Sequence, residues 1–62
     1  MKNRVKEFRK EANMTQEKLS EHVGVSRQTI NAIEKSRFDP SLSLAFKLSR
    51  IFRVPIEVLF EE

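Results

Sequence analysis

The chain lacks cysteine and has only one glycine, two prolines and one histidine among its 62 residues. Without cysteine, neither a disulfide nor a thiolate metal site can stabilise it, and an oxidising compartment has no support. One glycine cannot build a phosphate-binding loop. No apolar run approaches the roughly 18 residues of a membrane helix, and the N-terminus MKNRVKEFRK lacks the apolar centre of a secretion signal. We therefore expect a cytoplasmic protein with no membrane partner.

Catalytic and metal-binding constellations are also missing. His22 is the only histidine, and no second histidine, cysteine or suitably spaced carboxylate is present to share a metal. The acidic residues lie among lysines and arginines at helical spacings, as Glu7, Lys10 and Glu11 do, which is typical of a solvated helix. Paired acid and base chemistry therefore has no support. We expect no enzymatic activity, cofactor, metal or small-molecule substrate.

The size of the chain predicts one folded domain covering residues 1–62. Hydrophobic residues make up 39% and charged residues 34% of the chain. This hydrophobic fraction is higher than that of a disordered tail. A chain of this length has too little interior for two cores. Domains below about 70 residues seldom gain more than about 3 to 5 kcal/mol from the core, so self-association is a natural supplement. We expect a homodimer.

Positive charge is concentrated in the middle of the chain. Residues 26–53 carry six basic residues against two acidic ones, a net charge of +4. Residues 1–25 carry six against four, and residues 54–62 carry only three glutamates. A basic centre beside an acidic tail suggests a polyanionic partner, and the alternative is an ordinary solvated surface.

Apolar periodicity and turn residues predict five short helices. Val5, Phe8 and Ala12 recur at helical spacing and predict a first helix over about residues 2–12, which Asn13 ends. Thr15 and Ser26 are candidate N-caps of the second and third helices. Each follows an apolar residue that pairs with one at the fourth helical position, a hydrophobic staple. The two helices therefore begin in the same way.

Gly24 stands between these two helices and sets the angle at which they meet. Glycine tolerates a positive φ and allows a sharp turn after Val23. The apolar residues then pack in the corner and the polar ones stay outside. The inward set is Leu19, Val23, Val25, Ile30 and Ile33, and the outward set is Gln16, Arg27, Gln28, Thr29 and Asn31.

Residues 16–35, QEKLSEHVGVSRQTINAIEK, resemble the helix-turn-helix of the Cro/CI-type (XRE) regulators. DPSLSLAFKLSRIF and VPIEVLF are similar to the fourth and fifth helices of compact stand-alone members, so nearly the whole chain is covered. The resemblance implies an all-α, five-helix lambda-repressor-like fold that binds double-stranded DNA. The chain departs from the family at Ser20, Ser36, Arg53 and Pro55. Ser36 then occupies a left-handed position under strain, or the end of the third helix is built differently.

The resemblance also implies how DNA is contacted. The third helix would enter the major groove by its N-terminal end, with Arg27, Gln28 and Asn31 contacting bases. Arg27 contacting phosphate instead is one alternative, and a plain solvent face for all three is another. Phosphate contacts are implied for Gln16, Thr29, Lys35 and Arg37, and for the last two the alternative is simple solvation. Arg9 and Glu34 are implied as a structural ion pair.

The fourth helix carries more apolar residues than one inward stripe needs. Leu42, Ala45, Leu48, Ser49 and Phe52 match the inward stripe of the family. The surplus predicts a dimer face, for which we name Leu44, Ile51, Val58 and Phe60. The alternative is that the surplus packs within the monomer.

Two functions follow from the same scaffold. The first is a homodimeric, sequence-specific transcriptional regulator, most simply a repressor that occupies a near-palindromic operator. The second is a protein-binding module on the same fold, such as the partner-binding domain of an antitoxin, because a fold alone does not fix a function.

Overall fold

Five helices joined by short turns make up the computed structural model, which describes all of residues 1–62. They are α1 (Val5–Glu11), α2 (Gln16–Val23), α3 (Arg27–Glu34), α4 (Leu42–Phe52) and α5 (Ile56–Leu59). The five-helix prediction is confirmed. Two short strands, β1 (Lys2–Asn3) and β2 (Phe60–Glu61), add a small antiparallel sheet in which Lys2 faces Glu61. None of the helices has the length and apolar composition needed to cross a bilayer.

The first helix is shorter than predicted because its expected first turn belongs to the sheet. The predicted range was about residues 2–12, whereas α1 begins at Val5. Asn3 pairs with Phe60 across the sheet, and its Oδ1 accepts a hydrogen bond from the Val5 backbone N–H at 3.1 Å. At the other end, Asn13 adopts the left-handed conformation, with φ of 57°. The turn predicted there is confirmed.

The helix starts around the central turn follow the predicted capping residues. Thr15 Oγ1 accepts a hydrogen bond from the Lys18 N–H at 3.0 Å, and Ser26 Oγ accepts one from the Thr29 N–H at 3.1 Å. Gly24 ends α2 in the left-handed conformation, with φ of 75°. Each cap satisfies an N–H that the first turn of a helix leaves unpaired. Residues 16–34 therefore form a helix, a tight turn and a second helix.

The hydrophobic core joins all five helices. Each helix contributes one or two fully or nearly fully buried side chains, and burying a side chain of this size contributes roughly 1.5 to 3 kcal/mol. Because α3 supplies two of them, its outer face is fixed relative to the rest of the domain. The core cluster is Val5, Leu19, Val23, Ile30, Ile33, Leu44, Leu48 and Leu59.

The inward stripe of α4 differs from the predicted one at its start. Leu42, predicted to face inward, is 68% exposed, whereas Leu44 is only 6% exposed and belongs to the core. Ser41 Oγ accepts a hydrogen bond from the Leu44 N–H at 3.1 Å and so begins the helix. This start fixes the rotation of α4 so that Leu44, Leu48 and Ile51, four and three residues apart, lie on its inner side.

The departures from the family pattern are accommodated by backbone conformation and local hydrogen bonds. Ser20 is buried, and its hydroxyl donates to the Glu17 carbonyl at 2.6 Å, which satisfies the group. Ser36 and Arg53 both adopt positive φ, 59° and 57°, so the left-handed position after α3 is kept without glycine. Pro55 is the residue immediately before α5.

Candidate nucleic-acid interface

The exposed polar surface of α3 is concentrated at its N-terminal end. Arg27 and Gln28 occupy the first two helical positions and are exposed, and Asn31 lies one turn later and is half-buried. Burial of Ile30 and Ile33 turns the opposite side of the helix into the core. The three polar side chains therefore lie on the side of α3 that the core leaves uncovered.

The starts of α2 and α3 border a shared polar depression. Its volume is about 450 Å³, and no hydrophobic side chain lines it. Of its two guanidinium groups, that of Arg9 is paired with Glu34, and Glu17 adds a carboxylate, so Arg27 is the unpaired cation at its border. The N-terminal N–H groups of helices favour anions, so an anionic oxygen would approach the depression on the side of Arg27 and the helix starts. The lining residues are Arg9, Thr15, Gln16, Glu17 and Arg27.

A buried ion pair joins α1 to the end of α3. Arg9 Nε donates to Glu34 Oε2 at 2.6 Å, and Arg9 Nη2 donates to Glu34 Oε1 at 3.2 Å. The third guanidinium nitrogen, Nη1, donates to the Met14 carbonyl at 2.8 Å. The Arg9 and Glu34 side chains are only 9% and 3% exposed. The pair that the resemblance implied is present, with the two-bond geometry that arginine favours with carboxylates.

Gln16 extends this ion pair toward the exposed surface. Its side-chain nitrogen donates to Glu34 Oε1 at 3.1 Å and to Asn31 Oδ1 at 3.2 Å. Both amide hydrogens are used inside the protein, so the side chain has no donor left for a phosphate. The expected phosphate contact of Gln16 therefore stays a prediction, with its side chain hydrogen-bonded within the protein in this conformation. Its backbone N–H lies at the first position of α2, where helices leave N–H groups unpaired.

The other residues expected to contact phosphate lie on both sides of α3. Thr29 is half-buried, and its hydroxyl lies 3.0 Å from that of Ser26. Lys35 and Arg37 are exposed in the turn after α3. The Arg37 backbone N–H donates to the Ala32 carbonyl at 2.9 Å, which ties this turn to α3 while leaving the cationic side chain in solvent.

Asn3 supports α3 in a way that the sequence analysis missed. Its Nδ2 donates to the Ile33 carbonyl at 2.8 Å, near the C-terminal end of α3. The same side chain accepts from the Val5 N–H and so begins α1. An asparagine side chain readily accepts from the backbone N–H two residues on, so its local role was predictable. Its contact with a carbonyl 30 residues away was not.

The predicted dimer face is only partly available. Leu44 is a core residue of the monomer, and Ile51 and Phe60 are half-buried against that core. Val58 is 38% exposed. The prediction is wrong for Leu44, because part of the surplus apolar surface packs within the monomer. Leu42 and Phe46 are instead the exposed apolar side chains of α4.

An apolar groove of about 470 Å³ lies beside α4 and α5. Leu42, Ile56 and Phe60 are among the apolar side chains that line it, and Glu57, Glu61 and Glu62 make its border acidic. On the adjoining surface of α4, Phe46, Lys47 and Arg50 line a second depression. The two surfaces share Leu42 and carry opposite charge.

Sequence comparisons place these features among known proteins. A helix-turn-helix family model, HTH_3, matches residues 5–59. An uncharacterized HTH-type transcriptional regulator of Methanocaldococcus jannaschii is 57% identical over 60 residues, which cover 97% of this chain and 91% of the relative. The HTH-type regulator YgzD of Bacillus subtilis is 52% identical, with the same coverage. The phage CTXphi transcriptional repressor RstR from Vibrio cholerae is 30% identical over 97% of this chain and 54% of its own length.

Proposed function

Because the chain belongs to the Cro/CI-type (XRE) helix-turn-helix family, we propose that it is a cytoplasmic homodimeric repressor that binds a near-palindromic operator. Membership makes it a DNA-binding transcriptional regulator and not an enzyme. The observation that carries the finer proposal is the exposed N-terminal end of α3. The C-terminal end of the same helix is held by the buried ion pair of Arg9 and Glu34.

Base contacts are assigned to Arg27, Gln28 and Asn31. The N-terminal end of a recognition helix reaches base edges in the major groove. Arginine pairs with guanine O6 and N7 through two hydrogen bonds, and the glutamine amide pairs with adenine N6 and N7. Exposure of Arg27 and Gln28 supports these roles, because neither side chain must leave a buried site before it contacts a base.

Phosphate contacts are assigned to groups on both sides of α3. The polar depression beside the start of α2 supports one contact, through Arg27 or the Gln16 backbone N–H. Lys35 and Arg37 support a second contact after α3, and Thr29 is the remaining candidate. Contacts of this kind position a protein on DNA and do not select a sequence.

The dimer is proposed to form through the groove between α4 and α5. In a twofold dimer the same surface of each subunit forms the interface. The groove of one subunit must therefore complement the neighbouring face of α4 on the other. Leu42 and Phe46 provide an apolar centre, and Phe60 of the predicted face lines the groove with Leu42. The cations Lys47 and Arg50 oppose the acidic border of the partner. Such a dimer would present two recognition helices about one DNA turn apart, roughly 34 Å.

The repressor role rests on simple occupancy of a promoter. The relative RstR is by name a transcriptional repressor. A protein that binds an operator tightly excludes other proteins from that DNA without any further chemistry. A protein-binding module remains the competing function, and the DNA-binding experiment below separates the two.

Selection of bound duplexes from a random pool tests the proposed function. We expect one enriched motif with twofold symmetry, and affinity for it that falls steeply as salt is added, because phosphate contacts release counterions. Enrichment of no motif, together with indifference to salt, would overturn the DNA-binding role in favour of a protein-binding module.

Charge reversal tests the dimer face. Lys47→Glu is expected to raise the monomer fraction in sedimentation equilibrium, and addition of Glu57→Lys to the same chain is expected to restore the dimer. Phe38→Ser is the control, because Phe38 is exposed but does not line the groove. A dimer that ignores Lys47→Glu, or a parent chain that is monomeric at all concentrations, would contradict this interface.

A further inference from the structure

We propose that Gln16 is a positioning residue that holds the Asn31 side chain with its amide nitrogen outward. Asn31 would then favour guanine or thymine, whose major-groove edges carry acceptors and no amino group, over adenine and cytosine. This inference rests on the proposed function and makes it more specific. It changes the usual expectation for asparagine, which pairs with adenine by donating to N7 and accepting from N6.

The orientation starts from the charge of Glu34. Its carboxylate is paired with the Arg9 guanidinium, and an ionised carboxylate accepts hydrogen bonds but donates none. The group of Gln16 that lies 3.1 Å from Glu34 Oε1 must therefore be the amide nitrogen, because the amide oxygen is also an acceptor. The identity of the two terminal atoms of Gln16 is thus fixed by chemistry.

The second step transmits this orientation from Gln16 to Asn31. The Gln16 nitrogen has two hydrogens, of which one points to Glu34 and the other to Asn31 at 3.2 Å. The Asn31 atom that receives the second hydrogen must be an acceptor, so it is Oδ1. The Glu34 carboxylate therefore fixes the orientation of the Gln16 amide, which in turn fixes the orientation of the Asn31 amide.

The third step places a donor at the surface. With Oδ1 turned toward Gln16, the Nδ2 of Asn31 is on the other side of the amide and has no partner within the protein. Asn31 is half-buried, yet no buried side-chain nitrogen or oxygen of the protein lacks a hydrogen-bond partner. Nδ2 therefore reaches solvent and faces the groove in the proposed complex.

The outward Nδ2 of Asn31 predicts a base preference, because the four bases differ in the donors and acceptors on their major-groove edges. Guanine offers two acceptors, O6 and N7, and thymine offers O4. Adenine offers the N7 acceptor beside an amino donor, and cytosine offers only an amino donor. An outward amide nitrogen matches the first two bases and opposes the amino groups of the others. Loss of the Gln16 hydrogen bond would free the amide to rotate and admit adenine.

Motif selection with variants tests the inference. Asn31→Ala first identifies the position that Asn31 contacts, as the one whose preference disappears. At that position the parent chain is expected to favour guanine or thymine. Gln16→Met, of similar length but without an amide, is expected to raise the affinity for adenine relative to guanine there by roughly tenfold. Gln28→Met is the matched control, because it introduces the same side chain but should alter a different position.

A second variant keeps the test informative if Gln16→Met folds poorly. Gln16→Ala removes the same hydrogen bond without placing a methionine side chain beside the ion pair. Adenine is again expected to gain affinity relative to guanine at the Asn31 position, whatever the change in melting temperature. A residue with only a structural role would weaken binding to all sequences alike and leave base preference unchanged.

The outcomes separate this inference from the proposed function. If the parent chain enriches no motif, the proposed function fails. If a motif appears but adenine or cytosine is preferred at the Asn31 position, the inference fails alone. It also fails if Asn31→Ala changes no position, or if both Gln16 variants keep the preference of the parent.

Discussion

The two ends of α3 differ in how they are held, although they are only seven residues apart. At the N-terminal end, Arg27 and Gln28 lie in solvent, and the cap from Ser26 and the turn at Gly24 fix only the backbone. At the C-terminal end, Glu34 is buried against Arg9, and Asn3 binds the Ile33 carbonyl. One end is free to contact a partner because the other is fixed to the domain.

The residues that flank α3 continue this contrast. Both turns require a left-handed residue, which is glycine before the helix, with φ of 75°, and serine after it, with φ of 59°. A side chain in this conformation costs roughly 1 to 2 kcal/mol, and glycine largely avoids that cost. The turn before α3 is therefore nearly free of backbone strain. The strain in the turn after α3 must be offset by the interactions that hold the C-terminal end of the helix.

Arg9→Ala is the strongest way to break the fixed end. Removal of one partner of a buried pair commonly costs about 3 to 5 kcal/mol, because the remaining charge is left without compensation. In a domain this small the melting temperature is expected to fall by more than about 12 °C, since each kcal/mol shifts it by about 4 to 8 °C. DNA binding is expected to be lost with the fold.

A double variant, Arg9→Met with Glu34→Leu, is the control for that loss. Removing both charges together often leaves stability nearly unchanged. In thermal unfolding, the double variant is expected to recover most of the melting temperature that Arg9→Ala loses. An Arg9→Ala protein that melts with the parent would show that the pair does not hold α3 in place.

Gln28→Ala acts on the free end and should leave stability intact. Gln28 is exposed, so its truncation creates no cavity, while base discrimination at one operator position is expected to fall by about 1 to 3 kcal/mol. Competition binding against operators that differ at single positions measures this effect. Arg37→Ala, the comparison, should weaken all sequences alike and reduce the salt dependence by about one phosphate contact. Equal losses across all sequences for Gln28→Ala would remove it from the base-contacting set.

Gly24→Ala introduces strain into the relaxed turn. No atom lies within 4 Å of the added Cβ, so the cost comes from the backbone conformation alone. The free energy of unfolding is expected to fall by about 1 to 2 kcal/mol in urea titrations. A much larger loss would mean that the turn has no room to adapt.

Ser36→Gly is the reverse change at the other turn, and we expect it to have the smallest effect on the free energy of unfolding. Relief of the left-handed strain is partly offset by the greater freedom of glycine in the unfolded chain, so we expect a gain of about 0.5 kcal/mol. The same urea titrations measure it. A loss of stability on this substitution would show that Ser36 contributes something besides its backbone conformation.

Local signals in the sequence predicted most of the fold. Thr15, Ser26 and Gly24 act through their own hydrogen bonds or backbone angles, so their roles depend little on distant residues. The rotation of α4 was harder to predict, because apolar residues on several sides of a helix leave its orientation open. Leu44 is buried and Leu42 exposed because Ser41 begins the helix and the other helices supply the core.

The candidate site was predictable in composition but not in its connections. Arg27, Gln28 and Asn31 are identified by their positions after Gly24, whereas the hydrogen bonds from Gln16 to Asn31 and Glu34 join residues 15 and 18 apart. No periodicity encodes such pairs. They arise from the angle between α2 and α3, which the whole core determines. The bond from Asn3 to Ile33 depends likewise on the pairing of β1 with β2.

The antiparallel pairing of Lys2 with Glu61 brings the two strands that flank the five helices side by side. A linker of a few residues could therefore close the polypeptide into a ring without disturbing any helix. Such a cyclic molecule would have fewer unfolded conformations available to it, and the anchorage that Asn3 gives to α3 would no longer be lost by fraying at residue 1.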